Sequence, residues 1–158
     1  MKPMKILKQI MKETFIKITL ALLLVAGCQS GYAQCDTTVL LESSKTNYLD
    51  GKGNVYRTKD EATTITISKT AVVISYGNND HQMSGDITSA TCDWKTPFKE
   101  GKMIVKAGLE NSEGIKQQGT LTITGVAGKI TLIYEAKERP GIQIQLVVDK
   151  FEEKKRKP

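Results

Sequence analysis

Alternation with a period of two is the feature that most constrains this chain. Beyond residue 36, Ile65 and Ile67 alternate with Thr64, Thr66 and Ser68. Val72, Ile74 and Tyr76 fall on one face, and Met103 and Val105 alternate with Lys102, Ile104 and Lys106. Leu121 and Ile123 alternate with threonines. Ile130, Leu132 and Tyr134 alternate with Thr131, Ile133 and Glu135, and Ile142, Ile144, Leu146 and Val148 with Gln143 and Gln145. An amphipathic helix needs apolar spacings of three and four, and no stretch sustains them. The supply of Thr, Val and Ile, stiff at χ1, favours strands for the same segments.

Turn residues separate these runs: Asp50–Asn54, Ser68–Thr70, Gly77–Asp80, Lys99–Gly101, Asn111–Gly114, Ala127–Gly128 and Arg139–Gly141. Gly, Asn and Asp admit positive φ, and Pro presets φ for a turn. Strands are therefore expected near 37–46, 54–58, 62–68, 71–76, 84–95, 102–109, 117–125 and 129–136, with a ninth at 142–150. The fold class is all-β: an antiparallel meander of eight to nine strands. Closure into a barrel removes exposed edges, and the short turns favour it; a β-sandwich is the alternative. In 84–95, Ala90, Cys92 and Trp94 are expected on one face.

The first 33 residues read as a signal peptide. Lys2, Lys5, Lys8, Lys12 and Lys17 precede an apolar run, Ile18 to Gly27, interrupted only by Thr19. That run is too short for a bilayer span of about 20 residues. Gly31-Tyr32-Ala33 has small residues where signal peptidase needs them. Val25-Ala26-Gly27-Cys28 resembles a lipobox, which would end a lipoprotein signal at 1–27 and acylate Cys28. Either route exports the chain, in a bacterium to the periplasm or cell envelope, soluble or lipid-anchored. A single β domain spans 36–151, followed by a basic tail at 152–158.

Removing 1–33 changes the charge argument. The whole chain has 23 basic and 17 acidic residues. The leader holds five Lys and one Glu, which leaves 18 against 16, or +2. Much of that remainder sits in the tail. A nucleic-acid binder carries its basic face on the domain itself, so no nucleic-acid partner is expected. A membrane is expected as partner only through a lipid anchor on Cys28. Cys35 and Cys92 are the two thiols that survive processing, and in an oxidising compartment they are expected to form one disulfide. Closing that loop would stabilise the fold by roughly 3–4.5 kcal/mol before strain.

No constellation for catalysis emerges. His81, the only imidazole, lies in a turn beside Asp80. Ser84 lacks the frame of a nucleophile elbow. Asp60-Glu61 and Glu110/Glu113 lie in or beside turns, where acids are ordinary surface residues. With no C-x-x-C and one His, no metal site is expected, and no cofactor. No enzymatic activity is expected.

Leu41-Glu42-Ser43-Ser44-Lys45-Thr46 and Asp50-Gly51-Lys52-Gly53-Asn54-Val55, together with the meander, resemble the small bacterial lipocalin-like domains found after export signals. Such domains usually open with Gly-x-Trp; here Thr37-Thr38-Val39 stands at that position, and the single Trp is Trp94. The resemblance implies a barrel whose interior takes a small ligand. Closed into a barrel, the strands would line that interior with Ile65, Ile67, Val72, Ile74, Met103, Val105, Leu121, Ile123, Ile130, Leu132 and Tyr134. An apolar wall implies an apolar or amphiphilic guest. The alternative is an envelope protein with a structural or interaction role, a solid core, and contacts on its Thr-rich outer faces.

Overall fold

A computed structural model describes residues 36–77 and 80–154. The signal segment, Cys28, Cys35 and the last four residues of the basic tail lie outside the described residues. All described residues belong to one compact unit, 32–158.

Nine strands follow in order: β1 (Val39–Leu49), β2 (Val55–Ile67), β3 (Ala71–Tyr76), β4 (His81–Thr96), β5 (Glu100–Asn111), β6 (Lys116–Val126), β7 (Lys129–Ala136), β8 (Gln143–Val148) and β9 (Lys150–Glu153). Each of β1 to β7 pairs antiparallel with the next, and β1 also pairs with β8, and with β9. The sheet is thus a closed eight-stranded barrel, not a sandwich. β9 continues β8: Leu49↔Gln143 and Thr46↔Leu146 on one side of the break, and Glu42↔Lys150 and Val39↔Glu153 on the other, keep one register along β1.

Two expectations need correction. The segments 54–58 and 62–68 are one strand, β2, of 13 residues. Its middle, Thr58 to Glu61, is polar because it pairs with β1 alone; β3 reaches only from Thr64 to Ile67. The charged stretch protects that otherwise bare edge. With β2 whole, the segment near 142–150 becomes the eighth strand, the one that closes the barrel. The β4–β5 turn also comes earlier than Lys99–Gly101, since Glu100 and Gly101 already belong to β5.

Bulges decide which residues face inward. In β4 the partners shift between Ile87 and Ser89, leaving Thr88 as an extra residue whose Oγ1 donates to the Lys106 carbonyl at 3.1 Å. Met83 is buried before that point, and Trp94 after it, with Cys92 packed partly buried against the core. The inward face therefore changes from odd to even numbers along one strand, as an inserted residue requires. A similar irregularity crosses three strands at mid-barrel. β2 carries an extra residue opposite Ser44. Ser43 Oγ lies 2.8 Å from the Val147 carbonyl, while Ser44 donates through its N–H and its hydroxyl to Asp149 Oδ2, both at 2.7 Å. Asp149 N–H in turn donates to the Glu42 carbonyl. This seam ties β1 to the β8–β9 strand.

Below the seam the barrel is solid. Val39, Leu41, Ile67, Val72, Met103, Val105, Leu121, Ile123 and Ile130 fill it. An aromatic plug ends it: Phe98 meets Phe151 edge-on at 4.9 Å, and Trp94 lies tilted against Phe151 at 5.5 Å. The chain enters β1 and leaves β9 at this plugged end, where Val39 pairs with Glu153.

Candidate functional site

The turns of an up-and-down barrel alternate between its two ends. Those after β1, β3, β5 and β7 gather at the end opposite the plug, and there the interior opens into a cavity of about 400 Å³. This lies within the usual range of small-molecule sites, about 300–1,000 Å³. Its apolar wall comes from Ile65, Ile74, Met83, Leu132, Ile144 and Leu146. Tyr48, Tyr56, Tyr76, Ile115 and Ile142 stand around it toward the mouth, and Tyr56, Ile115 and Ile142 are exposed although large and apolar.

At the mouth, Tyr48 and Tyr56 face each other at 6.5 Å, with the Arg57 guanidinium 5.5 Å from the Tyr48 ring centroid. Burial, and then the charge of Glu61, raise the Tyr48 pKa above the ordinary phenol value. His81 stacks on Tyr76 at 5.3 Å, exposed to solvent, so it is a rim residue with no carboxylate to orient it as a base. The Tyr48/Tyr56 pair flanks the β1–β2 turn, which Asp50 ties by accepting from the Lys52 and Asn54 amides. Those bonds, the Asn54 side chain's first among them, hold the Asp50 carboxyl below its ordinary pKa.

The most informative atoms are three hydroxyls. Thr46 Oγ1, Thr63 Oγ1 and the Tyr134 OH are buried and have no hydrogen-bond partner among the described residues. All three residues line the cavity. Thr46 is 3% exposed and Thr63 5%. They stand on β1, β2 and β7, three of four neighbouring strands with β8 between, directly above the seam. One step below them the wall is purely apolar: Ile65 follows Thr63 inward on β2, and Leu132 follows Tyr134 on β7. Burial, and then the charge of Glu138, push the Tyr134 phenol up to about 12, so it remains a neutral donor. Gly119 makes room for this ring: a Cβ there would lie 2.6 Å from Tyr134 Cε2.

Buried polar groups in native proteins almost always find partners. Hydroxyls without a protein partner in a roomy cavity must be met by water or by a bound molecule.

Of the eleven interior residues named from the sequence, four line the cavity: Ile65, Ile74, Leu132 and Tyr134. Ile67, Val72, Met103, Val105, Leu121, Ile123 and Ile130 sit in the solid core instead. Thr46 and Thr63 had no distinguishing sequence signal, each being one threonine among many: Thr63 shares the inward face of Ile65 and Ile67, and Thr46 is turned inward by the irregularity after Ser43. Asp60 and Glu110 are surface ion-pair partners of Lys45 and Lys116. Ser84 and Glu113 are exposed. Among the described residues, no group of three His, Cys, Asp or Glu side chains is placed to hold a metal ion. A second, outer groove runs over β5, β6 and β7 past Lys106, Gln118, Thr120, Glu135 and Lys137. Its lining carries no buried polar atom without a partner.

The chain matches no protein-family model, no curated protein and no solved structure.

Proposed function

We propose that this is an exported, lipocalin-like domain of the cell envelope that binds a small apolar or amphiphilic molecule in the open half of its barrel. The observation that carries the reading is the coincidence of a 400 Å³ cavity with three buried hydroxyls that the protein leaves without partners. A barrel evolved only as a solid scaffold gains nothing from burying such groups, since each costs about 1–3 kcal/mol when unmet. The exposed Tyr56, Ile115 and Ile142 at the mouth fit an entrance for an apolar guest. Export rests on the leader sequence.

Native mass spectrometry of the protein purified from its source envelope tests this. We expect a co-purifying small molecule, or uptake of a neutral fluorescent apolar probe. Absence of both would refute ligand binding. It would also favour the second reading, a structural or interaction protein, which the solid plugged half of the barrel supports. Crosslinking in intact cells would then be expected to capture a macromolecular neighbour.

A further inference from the structure

The cavity is layered, and the order of its layers selects a ligand chemistry and an orientation. The layer nearest the core holds the hydroxyls of Thr46, Thr63 and Tyr134. Above it come aromatic and aliphatic surfaces, chiefly Tyr48, Tyr76, Met83 and Ile144. The cationic groups of the wall, Arg57 and Arg139, are exposed. Glu61, two residues from Thr63 on β2, has its side chain only 12% exposed and Lys59 Nζ at 3.7 Å, while Glu138 and Arg139, whose charges reach Tyr134, are exposed.

A molecule that satisfies the hydroxyls must bring its polar end to the bottom of the cavity. A carboxylate or phosphate there would be desolvated, would find its nearest cations either engaged or at the solvent-exposed rim (Lys59 on Glu61, and Arg139), and would face the Glu61 carboxylate. Burying an unpaired charge is far more costly than burying a hydrogen-bonded neutral group. An ammonium head would find Glu61 already faced by Lys59 and would meet hydroxyls in place of a free anion. A neutral hydroxyl both donates to and accepts from Thr and Tyr hydroxyls, and a carbonyl accepts from them, at no charge cost.

Resting on the ligand-binding reading above, we infer that the barrel takes a neutral amphiphile, an alcohol or a ketone in chemical class, bound with its polar head down on Thr46, Thr63 and Tyr134 and its apolar body toward the mouth. The site therefore selects against fatty-acid-like anions of the same length.

The test uses the mature protein and four probes of one chain length: octane, 1-octanol, octanoate and octylammonium at neutral pH. Binding is followed by NMR through the Met83 methyl group, which lies in the cavity, with the Trp94 indole as a reference at the plugged end. We expect 1-octanol to bind about tenfold or more tightly than either ion. Tyr134→Phe, and separately Thr46→Val with Thr63→Val, should weaken 1-octanol by roughly three- to tenfold, the loss of a hydrogen bond, while leaving octane unchanged or tighter. The inference is overturned if octanoate or octylammonium binds as well as the alcohol. It is overturned equally if the three substitutions affect octane and 1-octanol alike. Failure of all four probes, octane included, to shift the Met83 methyl would instead refute ligand binding in this cavity.

Discussion

Tyr134 concentrates the conflict between stability and binding in a single side chain. Its hydroxyl is buried without a protein partner, so removing it relieves a desolvation cost. In the ligand-free protein, Tyr134→Phe should leave the midpoint of urea unfolding unchanged or raise stability by up to about 1 kcal/mol. A loss of more than that would mean that the hydroxyl has a structural partner. The same phenol gives an alkaline signature. Its pKa is about 12 in the fold and 10.0 as the ordinary value. The unfolded chain then releases its proton first, so the contribution is full below pH 10 and is lost as pH rises toward 12. Unfolding at a series of alkaline pH values should show this decline, and Tyr134→Phe should flatten it.

At the scale of the element, one hairpin carries an avoidable strain. Ala127 and Gly128, between β6 and β7, both have positive φ, 51° and 79°. This is the pattern of a type I′ turn, in which Asn-Gly is preferred and Ala is not. Ala127→Asn should stabilise the protein by roughly 0.5–1 kcal/mol in thermal or urea unfolding. The seam behaves oppositely. Asp149 fixes it through two short bonds from Ser44, so Asp149→Ala should cost about 1–2 kcal/mol and broaden the resonances of β1 and β8 in NMR spectra. Most strands were legible in the sequence because half-buried strands alternate, and Leu121-Thr122-Ile123 or Ile130-Thr131-Leu132 can do little else. Thr58 to Glu61 was illegible as strand because it has a partner on one edge only and solvent on the other. Of the hydroxyl layer, Tyr134 was legible by alternation, whereas Thr46 was not: the irregularity after Ser43 reverses inside and outside beyond it, and alternation alone does not reveal it.

For the whole molecule, the plugged end also bears on the two cysteines. β4 runs on past the start of β3, and its Cys92 lies there, packed partly buried against the core. Asp36, which follows Cys35 in the chain, pairs with Lys69 of the β2–β3 turn at 3.0 Å, at the same end. The Cys35–Cys92 bridge expected from the sequence is a proposal that mass measurement tests. The intact mass of the exported protein should be lower than the reduced mass by two hydrogens, and reduction should lower its thermal midpoint; an unchanged mass on reduction would exclude the bridge.

Because β1 begins and β9 ends at the plug, the described chain enters and leaves the barrel at one pole, and the mouth occupies the other. An acyl group on the N-terminal side would therefore seat the barrel like a cup standing on a surface, its rim turned away from the lipid. Under the ligand-binding proposal, a guest of a protein so anchored would be exchanged with the aqueous space and not drawn directly from the bilayer beneath.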